Sequence, residues 1–370
     1  MIRFEEHLQT LEGHLGDAGA DGAILATGPN AYYLTGFAGE RDRHLLGLVT
    51  PDGERTFVSG EAYVGQVRDE LQVDDATVRA VPDNTAESVV DGLVEVLPDS
   101  GGTYFVDDRM RTGESMRLRT ELLDATFDLL SELVAPMRVQ KDAPEIDRLR
   151  EAARQTDAVS VAVRELGADA VGMTERDLAV EVRTRLAERG AVGEAFPAVV
   201  AAGPNGARPT EYRHGDREIV PGEPVVLDFG GFFDHYASDQ TRTVVFDGDP
   251  PAEFVEAHET VSEALEAGVS AAEPGATGGD VDAAAREVVE AAGYGDQFTT
   301  GTGHGVGLRG HEPPSISPGS TDELEPGVVF SVEPGIYVEG EWGVRLETVV
   351  ALTGDGPESL NQSPYTWEPL

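Results

Sequence analysis

The chain has 370 residues, of which 69 are acidic, and its formal net charge at pH 7 is −42. Such a charge argues against nucleic acid as a partner, because phosphate binding needs clustered Lys and Arg. The sequence contains no cysteine, which rules out disulfides and thiolate ligands and leaves His, Asp and Glu for any metal site. We interpret the acidity as halophile-like, since a saline cytoplasm screens the self-repulsion of so many carboxylates.

The first part of the chain alternates between helical and strand patterns. An amphipathic helix is predicted from Phe4 to Ala18, and a short apolar strand is predicted from Gly22 to Thr27. The runs His44–Thr50 and Arg55–Ser59 flank Pro51-Asp52-Gly53, which predicts a hairpin. The N-terminal segment has no apolar signal core, and no run approaches the roughly 20 apolar residues of a membrane span. These features predict a cytoplasmic protein without a membrane partner.

A change of pattern divides the chain into two predicted domains, residues 1–134 and 135–370. Strand patterns dominate the second domain from Phe196 onward. Asp280 is expected to be the N-cap of the last helix. Helices in this domain are predicted from Pro144, from Glu175, over Ala252–Ala267 and over Val281–Ala292.

Four carboxylates and one histidine stand in apolar or glycine-rich surroundings in the second domain. Four carboxylates on hydrophobic strands cannot all stay ionised, because desolvation and like-charge repulsion would raise their pKa values. Two divalent cations would supply a matching positive charge. The sequence therefore predicts a dinuclear metal site built from Asp228, Asp239, His304, Glu333 and Glu347.

The spacing within the first pair of carboxylates predicts a hairpin. Asp228 and Asp239 are eleven residues apart. A chain that folds back about Phe233-Asp234 would place the two carboxylates opposite each other, with Cβ atoms about 5 Å apart.

The second pair, Glu333 and Glu347, has its midpoint at Gly340, which predicts a second hairpin. The glycines around His304 would let the backbone approach a crowded site. This donor set suits Mn²⁺, Co²⁺, Fe²⁺ or Zn²⁺ better than Ca²⁺ or Mg²⁺. As an alternative, Glu347 could be a buried glutamate paired with Arg345, two residues away on the same strand face.

These motifs resemble a known family. The runs GTGHGVGLRGHEPPSISPGS and FSVEPGIYVEGEWGVRLETVV resemble the prolidase and aminopeptidase P branch of the M24 metallopeptidases. The segment MRVQKDAPEIDRLREAA resembles the helix that opens their catalytic domain, and DGAILATGPNAYYLTGF extends the similarity to the N-terminal domain. The resemblance implies an α/β (α+β) protein, with a pita-bread catalytic domain behind a smaller creatinase-like N-terminal α/β domain. It also implies a homodimer.

The resemblance assigns a role to each residue of the predicted metal site. All five fall on the metal ligands of the family, and Asp239 and Glu347 match the ligands that bridge the two ions. It implies two divalent ions, Mn²⁺ or Co²⁺ in the first place and Fe²⁺ or Zn²⁺ as alternatives. Such ions lower the pKa of a shared water and polarise the scissile carbonyl.

Further roles follow from the same resemblance. Glu333 matches the ligand that shuttles a proton, and His311 matches a histidine that hydrogen-bonds the substrate and the tetrahedral intermediate. Arg345 matches an arginine near the substrate and the metals. Thr241 and Thr243 are expected to support the ligands.

Two positions depart from the pattern of the family. Glu211 lies seventeen residues before Asp228, where the branch has a substrate-contacting histidine, and His214 could compensate if the loop is shifted. Thr300 lies four residues before His304, where the branch has another histidine. The predicted metal site is therefore complete, while the residues expected to select the substrate are altered.

The sequence thus predicts a metallo-exopeptidase that cleaves the bond between an N-terminal residue and proline in dipeptides or short peptides. The alternative is a hydrolase of the same fold that acts on other dipeptides or, like creatinase, on a small non-peptide C–N bond. A non-enzymatic binding protein on this fold is the third interpretation. The intact ligand set argues against it.

Overall fold

The computed structural model describes residues 2–39, 44–98 and 101–370. The chain divides into two compact units, residues 1–138 and 139–370. The boundary predicted after residue 134 falls inside a helix, Ser131–Val139. None of the helices in the described ranges is long and apolar enough to cross a membrane.

The N-terminal unit is built on a mixed sheet, to which the described residues contribute six strands in the order β4-β3-β2-β1-β5-β6. The pairs β1/β5, β5/β6 and β3/β4 are parallel, and β1/β2 and β2/β3 are antiparallel. The strands are β1 Gly22–Ala26, β2 Leu45–Val49, β3 Arg55–Gly60, β4 Thr77–Val81, β5 Thr103–Val106 and β6 Thr126–Leu129. The helices are α1 Phe4–Ala18, α2 Pro29–Thr35, α3 Val64–Glu70, α4 Ala86–Val94 and α5 Thr112–Glu121, followed by α6 Ser131–Val139.

The elements predicted at the start of the chain are present in the structure. Helix α1 has the predicted bounds and buries Leu8, Leu11 and Leu15, which the 3.6-residue period places on one face. The predicted hairpin is confirmed, since β2 and β3 pair antiparallel and Val49 lies opposite Arg55.

The described residues of the second unit form two larger sheets, each covered by a pair of helices, and two further sheets of two strands each. Helices α7 and α8 share a core with the sheet β11-β8-β7, and α9 and α10 share a core with the sheet β13-β12-β14-β17-β18. The helices are α7 Ala143–Arg164, α8 Glu175–Glu188, α9 Ala252–Ala271 and α10 Gly278–Ala291. The strands are β7 Val199–Ala202, β8 Val225–Asp228, β9 Phe232–Phe233, β10 Tyr236–Ala237, β11 Thr241–Val244, β12 Gly303–Gly305, β13 Glu312–Ile316, β14 Val329–Val332, β15 Gly335–Val338, β16 Trp342–Arg345, β17 Thr348–Thr353 and β18 Gly356–Ser359.

The predicted start of α10 is wrong by three residues, nearly one helical turn. The N-cap is Thr277, whose side chain accepts a hydrogen bond from the backbone N–H of Asp280. The carboxylate of Asp280 accepts the backbone N–H of Thr277 in return, at 2.8 Å. Asp280 is therefore the third residue of a capping box and not the cap, because the threonine three residues earlier completes that motif.

Candidate metal centre

Asp228 and Asp239 lie on the first predicted hairpin, but their register differs from the prediction. Asp228 ends β8 and pairs with Thr241 of β11. The prediction that Asp228 lies opposite Asp239 is therefore wrong by two residues. The turn consists of Asp234 and His235, whose φ angles of 47° and 71° are both positive. Such a two-residue turn centres the hairpin one residue later than expected and leaves Asp239 diagonal to Asp228.

The diagonal arrangement still brings the carboxylates together. One carboxylate oxygen from each of Asp228, Asp239 and Glu347 can be chosen so that all three lie within 4.8 Å of one another. Asp239 and Glu347 are buried, and Asp228 is half-buried. A single cation could contact all three side chains.

The second predicted hairpin is confirmed in its register. Strands β15 and β16 pair about the turn at Gly340, whose φ of 80° favours glycine. The same register continues beyond them, where Val332 of β14 lies opposite Thr348 of β17. Glu333 directly follows Val332, and Glu347 directly precedes Thr348. The two glutamates are therefore opposite each other in this register, between the β14/β17 pairing and the β15/β16 pairing.

His304 lies on β12 and points at the carboxylates. Its Nε2 is 3.2 Å from Oε1 of Glu333 and 3.7 Å from Oδ2 of Asp239. The preceding residue must be glycine, because a Cβ at Gly303 would lie 2.0 Å from the backbone oxygen of Ser331. The close backbone approach that the glycine-rich motif predicted is therefore present.

Three side chains hold the carboxylates in place. The hydroxyl of Thr241 donates to Oε2 of Glu347 at 2.8 Å and accepts from Nε of Arg345 at 3.1 Å. The guanidinium of Arg345 also donates to Asp228. The hydroxyl of Thr243 donates a hydrogen bond to the backbone oxygen of Arg345 and accepts one from its backbone N–H. The alternative pairing of Arg345 with Glu347 is therefore wrong. Arg345 donates to Asp228 on the first hairpin, and Thr241 is the residue that hydrogen-bonds Glu347.

The electrostatics show that this cluster cannot be fully ionised by itself. Burial raises the pKa of Asp239 well above its ordinary value, and the nearby carboxylates add to the effect. Burial likewise raises the pKa of Asp228 against the opposing charge of Arg345, and it raises the pKa of Glu347 to about 8. Burial opposes the charges of Glu333 and His304 as well, but their mutual hydrogen bond prevails and moves their pKa values to about 2 and about 9.

The residues of the cluster fit bound divalent cations. Oε1 of Glu347 is buried and has no hydrogen-bond partner within the described part of the chain. A buried carboxylate oxygen without a partner is costly unless a ligand satisfies it. Four carboxylates and one imidazole are also a donor set that Mn²⁺, Co²⁺, Fe²⁺ and Zn²⁺ accept.

His311 lies beside the cluster. Its ring stacks on that of His304, with centroids 3.6 Å apart, and meets the ring of Phe196 edge to face at 6.4 Å. Partial desolvation and the neighbouring imidazole of His304 lower the pKa of His311. His311 is nevertheless a solvent-exposed residue, so a bound molecule could reach it.

Both departures from the family pattern line a cavity of about 870 Å³, and none of the five predicted ligands is among the described residues that line it. These departures are Glu211 and Thr300. The side chain of Glu211 is 74% exposed and lies 3.4 Å from Arg208. Tyr337 also lines the cavity, and its hydroxyl is 3.5 Å from Nη1 of Arg345. The chain of contacts from Tyr337 through Arg345 joins the cavity to the carboxylates.

The other predicted substrate residue, His214, has a different position. It is half-buried in the loop between β7 and β8, and it is absent from the described residues that line the cavity. Its Nδ1 is buried and has no hydrogen-bond partner among the described residues. Glu211, and not His214, therefore occupies the wall of the cavity.

Sequence reasoning missed two residues of the site. The hydroxyl of Ser331 donates to Oε1 of Glu333 at 3.0 Å and accepts the backbone N–H of His304 at 3.1 Å. The period of two along a strand could have indicated Ser331, which precedes Glu333 by two residues. No local pattern indicates Tyr337, because its contact with Arg345 depends on how β15 and β16 pair.

Comparisons with known proteins identify the family to which the chain is similar. Residues 147–354 match the profile of metallopeptidase family M24, and residues 7–140 match that of the creatinase/prolidase N-terminal domain. The chain is 34% identical over 356 residues to the probable dipeptidase PepE of Mycobacterium tuberculosis, covering 94% of this chain and 92% of that protein. It is 30% identical over 363 residues to the Xaa-Pro dipeptidase of Pyrococcus furiosus, covering 97% of this chain and 98% of that protein.

Solved structures give the same result for the fold. The recombinant prolidase from Thermococcus sibiricus matches with a TM-score of 0.91 at 32% identity, covering 100% of both chains. The dipeptidase from Pyrococcus horikoshii matches with a TM-score of 0.88 at 34% identity, covering 98% of this chain and 99% of that chain. The predicted combination of a creatinase-like N-terminal domain and a C-terminal pita-bread domain is confirmed.

Proposed function

The chain belongs to metallopeptidase family M24, and on that premise we propose a dinuclear peptidase that cleaves the bond between an N-terminal residue and proline in dipeptides or short peptides. Membership in the family makes the protein a metallopeptidase and implies divalent metal ions and a peptide substrate. The number of ions, their identity and the preference for proline belong to the proposal.

One observation carries the proposal. Two hairpins and a glycine-flanked strand bring four carboxylates and one imidazole to a single buried point. Burial, and after it the charges of Glu333 and Asp228, raise the pKa of Glu347 to about 8, so the cluster disfavours the ionised form of this carboxylate. Such an arrangement costs stability unless cations offset it, which makes cation binding the reason for the cluster.

We assign the metal ligands as the sequence predicted. Asp228, Asp239 and Glu347 would hold one ion, and His304 and Glu333 would hold the other, with Asp239 and Glu347 shared between the two. When bound, such ions supply Lewis-acid polarisation of the scissile carbonyl and a lower pKa for water. Mn²⁺ and Co²⁺ are proposed in the first place, and Fe²⁺ or Zn²⁺ in the second.

The chain supplies the remaining steps. Glu333 would accept the proton of the attacking water and pass it to the leaving amine, and its contacts with His304 and Ser331 would orient the carboxylate. His311, exposed beside His304, would hydrogen-bond the oxyanion of the tetrahedral intermediate. Arg345 would act by orienting Asp228.

Glu211 and His214 are proposed to contact the substrate from two sides of their loop. Glu211 lines the cavity next to the metal centre, and the buried Nδ1 of His214 has no protein partner within the described ranges. Both roles are testable by substitution, because within the described residues neither side chain hydrogen-bonds a proposed metal ligand.

Metal analysis and a substrate panel test the proposal together. Protein stripped with chelator and reloaded with Mn²⁺ or Co²⁺ should hold about two ions per chain and should cleave Xaa-Pro dipeptides faster than Xaa-Ala dipeptides. Peptides of two, three and five residues then separate a dipeptidase from an aminopeptidase. A metal content near zero in an active preparation would overturn the dinuclear assignment.

A second function is favoured by the cavity. Glu211 and Thr300 stand where the family has histidines, and both line the same cavity. This shared location supports a changed substrate, such as other dipeptides or a small compound with a non-peptide C–N bond. Cleavage of creatine-like amidines, or of Xaa-Ala dipeptides in preference to Xaa-Pro, would favour this function. The metal requirement would be the same in both cases.

The remaining expectations extend the proposal. We propose a homodimer and a cytoplasmic location on the family resemblance, and a functional division of the chain near residue 135. We propose a halophile-like protein on the net charge of −42. Sedimentation at several protein concentrations tests the dimer. Thermal unfolding between low and molar KCl tests the halophilic character, since screening should raise the midpoint.

A further inference from the structure

Lys141 is the only lysine among the 27 basic residues of the chain. Its ammonium lies 3.0 Å from Oε1 of Glu312, and only 1% of the lysine side chain and 5% of the glutamate side chain are exposed. Elsewhere the chain uses arginine for its ion pairs, as in the exposed pair of Arg150 and Glu358. The retention of one lysine at a fully buried pair therefore needs a local reason.

The space around the pair supplies that reason. A Cβ built on Gly307 would lie 2.3 Å from Oε1 of Glu312 and 3.1 Å from Cε of Lys141. The backbone N–H of Lys141 is fixed as well, since it donates to the oxygen of Gly327 at 2.8 Å. An ammonium is a compact charge, whereas a guanidinium is a wide planar fork, so the packing against Gly307 admits lysine and excludes arginine.

The glutamate of the pair is next to both imidazoles of the site along the backbone. Glu312 directly follows His311 in the chain, and its Cα partner across β12 and β13 is Gly305, the residue after His304. The register of these strands shifts between His304 and Gly305, so the regular ladder does not fix this segment. The rings of His304 and His311 stack beside this register shift, with their centroids 3.6 Å apart.

We propose that Lys141 is a positioning residue: through Glu312 it holds His311 against His304, in the orientation that stabilises the transition state. The buried pair replaces the ladder contacts that the register shift removes. The inference rests on the role of His311 in the proposed function, and it adds a residue on another element that acts on this histidine without contacting the substrate.

The main variant removes the charge of both partners. Lys141→Met alone would leave a buried, unpaired carboxylate and destabilise the fold, so the test uses Lys141→Met/Glu312→Gln. We expect kcat to fall about ten- to a hundredfold, as for other residues that orient groups of a metal site. We expect KM to change less than about twofold, because an interaction made only in the transition state lowers kcat and kcat/KM equally. Metal content should stay unchanged.

Two further variants address the same pair. Gly307→Ala leaves both charges in place and pushes Glu312 away, so it should reproduce the loss of kcat. Lys141→Arg keeps the positive charge but does not fit the space beside Gly307, so this variant should also lose activity. Arg150→Met/Glu358→Gln is the matched control, since it removes an exposed pair of similar length and should leave kcat unchanged.

A double-mutant cycle separates positioning from general stabilisation. In a His311→Ala background the Lys141→Met/Glu312→Gln change should cause no further loss, because the residue through which it acts is gone. Losses that multiply in the two backgrounds, or an unchanged kcat in the wild-type background, would overturn the inference. A wild-type protein that cleaves no peptide would instead count against the proposed function.

A spectroscopic readout works even without activity. In Zn²⁺-loaded protein with labelled histidines, stacking on His304 should shift the ring protons of His311 upfield. His311→Ala assigns the signal. The shift should disappear in Lys141→Met/Glu312→Gln and persist in the control pair variant, and its persistence in both would refute the positioning role.

Discussion

The carboxylate cluster and the cavity beside it are neighbours with opposite physical character. In the cluster, Asp239 and Glu347 are at most 2% exposed, and Glu347 is held by Thr241 at 2.8 Å. In the cavity, Glu211 is 74% exposed and its partner Arg208 is 3.4 Å away and itself half exposed. The first region is fixed by desolvated, directional contacts, and the second is solvated and loosely held.

The difference separates what the protein does from what it acts on. Moving a buried charged group changes the free energy by several kcal/mol, whereas an exposed ion pair contributes about 0–1 kcal/mol. Changes in the cluster should therefore abolish catalysis. Changes in the cavity should redistribute activity among substrates while catalysis persists.

Removal of metal should have the largest effect. Chelation followed by desalting is expected to abolish peptide hydrolysis, and Mn²⁺ or Co²⁺ should restore it, because among the described residues only Arg345 and His304 form ion pairs with the four carboxylates of the cluster. Initial rates of peptide hydrolysis across a metal titration measure the loss and the recovery of activity. Full activity in chelator would contradict the assignment of the cluster as a metal centre.

Substitution of the buried ligands should come next. Asp239→Asn and Glu347→Gln each remove one charge from the cluster, and we expect kcat/KM to fall by at least about a thousandfold, which corresponds to about 4 kcal/mol of transition-state stabilisation. Glu358→Gln is the control, since that carboxylate is exposed and pairs with Arg150. Equal losses in control and ligand variants would remove the contrast between the two regions.

The stability of the metal-free protein should fall as pH rises. The pKa of Glu347 is raised to about 8 in the folded chain from an ordinary value of 4.5, so the folded state binds this proton more tightly than the unfolded state. Its contribution is complete below about pH 4.5 and is lost as pH rises through about 8, on the order of a few kcal/mol. The raised pKa of His304, about 9, acts in the same direction above pH 6.5.

Thermal unfolding in chelator between pH 5 and 9 checks this expectation. Glu347→Gln should flatten the profile of the metal-free protein, because the titrating carboxyl is gone. Added Mn²⁺ should flatten it as well, since the cations then stabilise the ionised carboxylates. A metal-free profile that rises with pH over this range would show that the cluster is not desolvated.

A change in the support of the cluster should have a moderate effect. Thr241→Val removes the hydroxyl that bonds Glu347 and Arg345 while preserving the shape of the side chain. We expect metal affinity or activity to fall about ten- to a hundredfold, the usual cost of losing a group that orients a ligand. Thr260→Val is the comparison, because that hydroxyl bonds only its own helix backbone at an exposed position. Isothermal titration with Mn²⁺ measures the affinity.

Changes in the cavity should have the smallest effect on catalysis. Glu211→His and Thr300→His introduce the family residues, and we expect the Xaa-Pro to Xaa-Ala ratio of kcat/KM to rise about tenfold or less, as for a change of one solvated contact. Metal content should not change. A thousandfold loss with metal release would place Glu211 or Thr300 in the cluster and erase the distinction between the two regions.

Much of the metal centre could be read from the sequence because its information is local. The spacing of Glu333 and Glu347 about Gly340 gave the correct register, since a glycine turn fixes a hairpin by its own geometry. The glycine beside His304 indicated a close backbone approach for a similarly local reason. The helix bounds at Phe4–Ala18 also depend only on neighbouring residues.

The tertiary structure decided the form of one turn and the contacts between residues far apart in the chain. Turn geometry at Asp234-His235 displaced Asp239 by two residues from the predicted pairing. Arg345 could pair with Glu347 or Asp228 as far as spacing goes, and only the packing of β16 beside β8 selected Asp228. The sequence by itself determined a cluster of carboxylates that needs cations, because burial makes their repulsion unavoidable. The fold determined which partner holds each carboxylate, because those contacts link elements about a hundred residues apart.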